Sequence, residues 1–204
     1  MYPLILCSLL VWGVIFERLW SFYRLSRGLR SFHLEAMNTL LRSDLDALKG
    51  VCHQNSQLPT AVLLMTALER LGAKDRRLRV SWRDALERRR QILNQDLRQN
   101  LWILGTIGSA APFIGLLGTV VGILRSFQEM ARTGSGGFTV VAAGISESLV
   151  ATAAGIVVAV VAVMSFNAFQ TRWSRLVLTV RLQTEELAEL LGLLAEQAGS
   201  ADDT

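Results

Sequence analysis

Residues 144–155, GISESLVATAAG, place a carboxylate, Glu147, inside an otherwise apolar helical segment. Residues 138–169 contain no other fully charged side chain, and at ~1.5 Å per residue this segment is long enough to cross a bilayer. An ionisable group in such a segment costs roughly 2.5 kcal/mol or more on insertion scales, and it usually faces a bundle interior or an aqueous path. We therefore expect Glu147 to face other helices or water rather than lipid.

The helical wheel of this segment separates a small, polar face from a bulky, aliphatic face. The small face carries Gly144, Glu147, Ser148, Ala151, Thr152, Gly155, Ala159 and Ala162, and the aliphatic face carries Leu149, Val150, Val157, Val160 and Val161. Small residues let helices approach closely in a membrane, and hydroxyl groups can hydrogen-bond a carboxyl. The small face is therefore predicted to be a packing or pore face. The alternative is that Glu147 only hydrogen-bonds a neighbouring helix as a structural contact.

The composition is typical of an integral membrane protein. Of the 204 residues, 51% are hydrophobic, and they occur in long blocks rather than along amphipathic elements. The net charge of +4 comes from basic residues that mostly flank these blocks, which suits membrane topology better than nucleic-acid binding. The two cysteines, Cys7 and Cys52, cannot form a metal cage alone, so we expect neither a metal nor another cofactor.

Three apolar segments are predicted to be membrane-spanning helices, at residues 1–16, 101–128 and 138–169. The first segment lacks a preceding basic residue and a following cleavage site, which favours a span over a signal peptide. Because only 16 residues precede Glu17, the native chain could begin before Met1.

The charge distribution predicts the orientation of the chain. Residues 17–100 contain 16 basic and 9 acidic side chains, so the positive-inside rule predicts a cytoplasmic helical domain and an amino terminus on the outer side of the membrane. Residues 129–137 are then a short turn on the outer side. Residues 170–204 are a cytoplasmic helix and tail, frayed from Gly199.

Within the predicted cytoplasmic domain, short helices are expected at residues 31–41, 45–52 and 59–71. Residues 75–100 have a stronger helical pattern, and no break separates them from the second apolar segment. This predicts a single helix that rises from the cytoplasm into the membrane.

The second span carries a stripe of small or hydroxylated residues at helical spacing: Gly108, Gly115, Thr119, Gly122 and Ser126. Gly118 and Gly122 also form a GxxxG motif, which is weak evidence alone. Pro112 is predicted to kink the helix. Thr119, considered alone, is expected to bond its own backbone, and Arg125 is the one charge near the far end of the span.

Two motifs carry a resemblance to a known family. The stretches APFIGLLGTVVGILRSF at residues 111–127 and GISESLVATAAGIVVAVVAV at residues 144–163 resemble the ExbB, TolQ and MotA family of proton-channel subunits, closest to its ExbB and TolQ branch. The resemblance implies a bacterial inner-membrane protein with three spans, a periplasmic amino terminus and a periplasmic turn at residues 129–137. It also implies a pentameric ring whose second and third helices line a pore that holds single-span ExbD-like or TolR-like partners. Proton flow would then drive TonB-like or TolA-like proteins that reach the outer membrane.

The resemblance also implies a set of functional residues. The proton pathway would consist of Glu147, Thr152 and Thr119, with Ser148 beside the glutamate. Protonation of Glu147 would alter its charge pairing with a carboxylate of the partner. The glycines expected to pack the pore helices are Gly115, Gly118, Gly122, Gly144 and Gly155. This chain has Ala143 and Val161 where the family usually has proline, which leaves the local helix geometry open.

Other function classes are alternatives to a proton-channel subunit. An intramembrane enzyme is not expected, because the spans contain no histidine or aspartate and acid–base work would rest on Glu147 alone. A structural membrane oligomer would use Glu147 only to tie helices together. A flagellar-stator relative would characteristically have four spans.

The choice between TonB-type and Tol-type cargo, and the size of the ring, stay open at this stage. Arg88–Arg90 could bind lipid headgroups, although a solvated helix face is the simpler interpretation.

Overall fold

The computed structural model describes the backbone of residues 2–133 and 138–202, with side chains at all of these except 133, 138–140 and 196–202. The described residues form seven α-helices and no strand: α1 Tyr2–Leu41, α2 Leu45–Gln54, α3 Pro59–Leu71, α4 Arg76–Val80, α5 Trp82–Arg98, α6 Leu101–Thr133 and α7 Phe138–Asp202. Three of them, α1, α6 and α7, are long and apolar enough to cross a membrane. The predicted all-α membrane fold with three spanning helices is confirmed.

The chain divides into two compact units. The membrane unit comprises Met1–Leu19 and Asn100–Thr171, and therefore holds the most apolar parts of α1, α6 and α7. The polar unit comprises Trp20–Gln99 and Arg172–Thr204, which carry most of the charged residues. Each unit has its own packing chemistry.

The polar unit is built around a conventional hydrophobic core. Its buried side chains come from α1, α2, α3, α5 and α7, and the largest fully buried ones include Phe32, Leu40, Leu48, Leu64, Leu187 and Leu191. Local signals begin the short helices: the Asp44 side chain accepts a hydrogen bond from Ala47 N at 2.9 Å, and the Asp75 side chain accepts one from Arg77 N at 2.8 Å. Pro59 occupies the first turn of α3, where its missing N–H has no cost.

The helix boundaries confirm two of the predictions for this region and correct two others. The helices expected at residues 45–52 and 59–71 are confirmed as α2 and α3. Residues 31–41, however, are not a separate helix, because α1 runs without a break from Tyr2 to Leu41. The segment from Asp75 to Asn100 is also not one helix that continues into the membrane. It is interrupted at Ser81 and again at Gln99–Asn100.

Asn100 explains the second interruption. Its φ of 65° lies in the left-handed region, which asparagine adopts more readily than most residues. The α5 helix buries Trp82 and Ala85 and packs on α3, so contacts within the polar unit set its position. Helical periodicity on both sides of Asn100 concealed this break.

Helical structure also extends beyond two predicted ends. The α6 helix reaches Thr133, so residues 129–133 of the predicted turn are helical, consistent with good helix formers and an Arg132–Glu129 ion pair at 4.0 Å. Residues 134–137 lie outside the described residues. The α7 helix continues to Asp202, where a frayed tail from Gly199 was expected, and residues 203 and 204 are not described. Pro112 lies inside α6.

Candidate functional site in the membrane unit

The glycine stripe of α6 packs against the small face of α7. Gly108 lies against Val163, Gly115 against Thr152, and Gly122 against Ser148, so numbers that rise along α6 meet numbers that fall along α7. The two helices are therefore antiparallel neighbours. We call this contact the α6–α7 seam.

The seam brings the two backbones into direct contact. A Cβ atom added at Gly155 would lie 2.7 Å from Ala111 O and 3.0 Å from Gly115 Cα. A Cβ atom added at Gly118 would lie 3.0 Å from the Cβ of Ala151. At Gly122 and Gly144 an added Cβ would collide with the side chains of Ser148 and Ser126, respectively. The five glycines expected to pack helices thus all lie in the seam, within a single chain.

The burial pattern of α7 agrees with this packing. On the small face, Ser148, Ala151, Ala159 and Ala162 are buried. The aliphatic side chains Leu149, Val150, Val157 and Val160 are exposed. The small face of α7 was predicted to be either a packing face or a pore face. In this chain it is the face that packs on α6. The exposed aliphatic side chains of α7 can therefore contact lipid or other protein chains.

The three hydroxyl groups of the expected proton pathway have different partners. Thr152 Oγ1 donates across the seam to Gly115 O at 2.9 Å. Thr119 Oγ1 donates to Leu116 O at 2.7 Å, and Ser148 Oγ donates to Ile145 O at 2.8 Å, each within its own helix. Thr119 thus makes the local backbone bond expected of it as a lone intramembrane threonine. None of the three hydroxyls donates its hydrogen to Glu147.

Glu147 lies at the edge of the seam. Its side chain is exposed, although its neighbour Ser148 is buried against α6. It lines an open cleft of about 410 Å³ together with Arg125 and Ser126 of α6 and with Pro3 and Leu4 of α1. The structure thus brings Glu147, Ser148, Gly118, Gly122 and Gly144 to one cleft. Thr119, Thr152, Gly115 and Gly155 do not line it.

Two contributors to this cleft are absent from the predicted site. In the sequence, Arg125 stands out only as the one charge of its span, and the amino-terminal end of α1 only as part of a predicted span. Aligning the two stripes of small residues as antiparallel neighbours would have paired Gly122 with Ser148 and placed Arg125 near Glu147. Nothing in the first apolar segment signals that Pro3 and Leu4 lie beside them.

The described residues offer no group of three or more histidine, cysteine, aspartate or glutamate side chains that could hold a metal ion. Charge in the cleft is instead carried by one carboxylate and one guanidinium. Such a site can bind or release a proton at Glu147, and it can pair opposite charges within a mostly apolar surface.

Comparison with known proteins decides the family. Residues 55–181 match the model of the MotA/TolQ/ExbB proton channel family. This chain belongs to that family. The resemblance seen in the two sequence motifs is therefore confirmed, and the matched region includes the whole α6–α7 seam.

Three relatives support the same assignment. The chain is 33% identical over 172 residues to the biopolymer transport protein ExbB of Salmonella typhimurium, across 83% of this chain and 70% of that protein. It is 32% identical over 189 residues to the putative biopolymer transport protein ExbB-like 3 of Synechocystis, across 91% and 87%. It is 41% identical over 83 residues to the Tol-Pal system protein TolQ of Pseudomonas aeruginosa, across 41% and 36%. Both ExbB-type and TolQ-type proteins are therefore among its relatives.

Proposed function

We propose that this chain is a proton-channel subunit of an ExbB-type motor in the bacterial inner membrane, where the proton motive force energises TonB-dependent transport across the outer membrane. One observation carries the proposal: a single carboxylate, Glu147, lies in the apolar part of α7 and is exposed at the edge of the α6–α7 seam. An intramembrane carboxylate that is not enclosed by its own chain is suited to exchange protons with a path between chains.

In this proposal Glu147 is the group that carries the proton. The hydrogens of Thr119, Ser148 and Thr152 are each donated to backbone carbonyls, so these hydroxyls can accept a hydrogen bond from water through their free lone pairs. They would orient water along the path without titrating themselves. Protonation of Glu147 changes its charge, and therefore its interaction with an acidic group on a partner helix.

The assembly is part of the same proposal. Exposed apolar side chains on α6 and α7, among them Leu116, Val120 and Val157, would contact lipid or neighbouring copies in a homo-oligomer, for which we propose a pentamer. A single-span ExbD-like or TolR-like protein would occupy the central pore and would couple to a TonB-like or TolA-like protein. The amino terminus would be periplasmic and the carboxyl terminus cytoplasmic. The proposal includes no cofactor and no enzymatic activity.

A TolQ-like subunit of the Tol-Pal system is the second candidate. The observation that favours it is the 41% identity to TolQ of Pseudomonas aeruginosa over 83 residues. The two candidates share the channel chemistry and differ in the process that is energised. Deleting the gene distinguishes them: loss of TonB-dependent uptake supports the first candidate, and sensitivity to detergents with a division defect supports the second.

The decisive experiment measures proton flux in liposomes that contain this chain and its genomically adjacent single-span partner. We expect Glu147→Gln to reduce flux to the leak of empty liposomes, because glutamine keeps the hydrogen-bonding shape but cannot take up a proton. The matched control is Glu189→Gln, an exposed glutamate on the same helix but in the polar unit, which should conduct normally. Equal flux in wild type and Glu147→Gln would overturn the proposal and leave Glu147 as a structural contact.

A further inference from the structure

The cleft beside the α6–α7 seam contains a pair of opposite charges. Glu147 and Arg125 are the two charged side chains among the described residues that line it, and the neighbouring part of α1 contributes only Pro3 and Leu4. Among the described residues, neither charged side chain takes part in an ion pair or side-chain hydrogen bond. Each is therefore available to the other.

The register of the seam places the two charges within reach of each other. Gly122 lies against Ser148, and Ser126 lies against Gly144. By interpolation, Arg125 is level with residue 145, which is two residues from Glu147 along the helix axis. At ~1.5 Å per residue this offset is about 3 Å, which a long, flexible arginine side chain spans easily.

We propose that Arg125 is a positioning residue for Glu147: an internal counter-cation that holds the Glu147 carboxylate in the cleft and releases it when the carboxyl takes up a proton. The guanidinium stays charged under all physiological conditions, so the pair changes only through Glu147. While Glu147 is ionised, Arg125 neutralises it in a mostly apolar cleft. When Glu147 is protonated, the attraction disappears, and the arginine side chain can extend towards the membrane surface.

This inference rests on the proposed function, in which Glu147 is the proton carrier, and it adds a determinant of when that carrier is charged. A fixed cation nearby stabilises the carboxylate form over the neutral form. Exposed ion pairs change an equilibrium by up to about fivefold, and partly desolvated pairs change it by more. Because Glu147 and Arg125 are both exposed, we expect removal of the cation to raise the ratio of protonated to ionised Glu147 by up to about fivefold at fixed pH.

Infrared spectroscopy of the full-length chain in lipid bilayers tests this directly. The bands of Glu147 are identified as those lost in Glu147→Gln, and their intensities give the ratio of the two forms. We expect Arg125→Gln and Arg125→Ala to raise the ratio and Arg125→Lys to keep it near the wild-type value. The matched control is Arg132→Gln, which removes an exposed cation near the end of α6 that does not line the cleft. The ratio should not change in this variant.

The inference and the proposed function can fail separately, because the spectroscopic measurement needs neither a partner nor flux. An unchanged Glu147 band ratio in both neutral variants would overturn the role of Arg125, even if Glu147→Gln abolished conduction. Conversely, a changed ratio together with normal flux through Glu147→Gln would leave the charge pair in place and reject Glu147 as the proton carrier.

Discussion

The α6–α7 seam and the core of the polar unit solve the same packing problem in opposite ways. In the seam, glycine, alanine and serine bring two backbones together, and a Cβ added at Gly155 would lie 2.7 Å from a carbonyl oxygen. In the polar unit, large side chains such as Phe32 and Leu64 are almost completely removed from solvent. Removing apolar surface from water gains roughly 25 cal/mol per Å². Lipid is as apolar as leucine, so burying a side chain inside a membrane brings no such gain, and close backbone packing must replace it.

This difference in packing predicts that alanine substitutions destabilise the two regions for opposite reasons. In the core an alanine removes side-chain atoms, and in the seam it adds a Cβ atom. The largest effect is expected for Phe32→Ala, which empties the core of the polar unit and should cost about 3–5 kcal/mol of unfolding free energy. Chemical denaturation in mild detergent measures it. Leu34→Ala is the control on the same helix, because Leu34 is 58% exposed and its removal should change stability little. Similar losses for both variants would contradict a packed core around Phe32.

The reactivity of the Cys52 thiol gives a second test of the packed core. Burial raises the pKa of the Cys52 thiol from 9.0 to about 11, because an apolar surrounding disfavours the thiolate. In a Cys7→Ser background near pH 8, the folded chain should therefore react with a maleimide roughly a hundred times more slowly than the unfolded chain. Since the pKa is higher in the folded state, the contribution of the Cys52 thiol to stability should be fully present below about pH 9 and should be lost as the pH rises from 9 to about 11. Rapid labelling of the folded chain would contradict the burial of Cys52.

A smaller effect is expected when alanine adds an atom to the seam. Gly155→Ala places a Cβ against backbone atoms of α6 that cannot move aside, which should cost about 1–3 kcal/mol. Gly13→Ala is the matched control in a membrane helix, because a Cβ there meets nothing within 4 Å. It should be neutral or slightly stabilising. Thermal unfolding in detergent compares the two, and equal behaviour would show that the seam is not tightly packed.

The smallest effect should come from the one hydroxyl that joins the two helices. Thr152→Val removes the bond to Gly115 O while keeping the shape of the side chain, and such bonds contribute about 0.6 kcal/mol in membranes. Thr152→Ser should retain the bond. The same thermal unfolding measurement applies to both variants. If Thr152→Val destabilised the chain as much as Gly155→Ala, the hydroxyl rather than the close backbone contact would hold the seam together.

Several features of the fold were predictable because their signal is local. Long apolar blocks identify the three spans, since length and hydropathy alone decide whether a helix can cross a bilayer. Asp44 and Pro59 mark the starts of α2 and α3 through capping and backbone geometry. The break before α6 was not predicted because helical periodicity continues on both sides of it, whereas the extended backbone of Gln99 and the left-handed backbone of Asn100 interrupt the helix.

The candidate site was partly predictable for a similar reason. Glu147 stands out in the sequence because a lone carboxylate in an apolar helix is costly. The partners of Thr119, Ser148 and Thr152 could not be assigned, because a hydroxyl on a helix can bond either its own backbone or a neighbouring helix. The position of Arg125 beside Glu147 depended on the register of the seam, which no pattern within one helix reveals.

The sequence by itself therefore determined the class of the protein, its three spans, its family and the identity of the costly carboxylate. These properties depend on composition and spacing within individual segments of the chain. Only the tertiary structure decided that the small face of α7 packs on α6, that Glu147 stays at the edge of this contact, and that Arg125 shares its cleft. Those relations depend on how two helices are aligned, and that alignment is set by the close fit of glycine and serine across the seam.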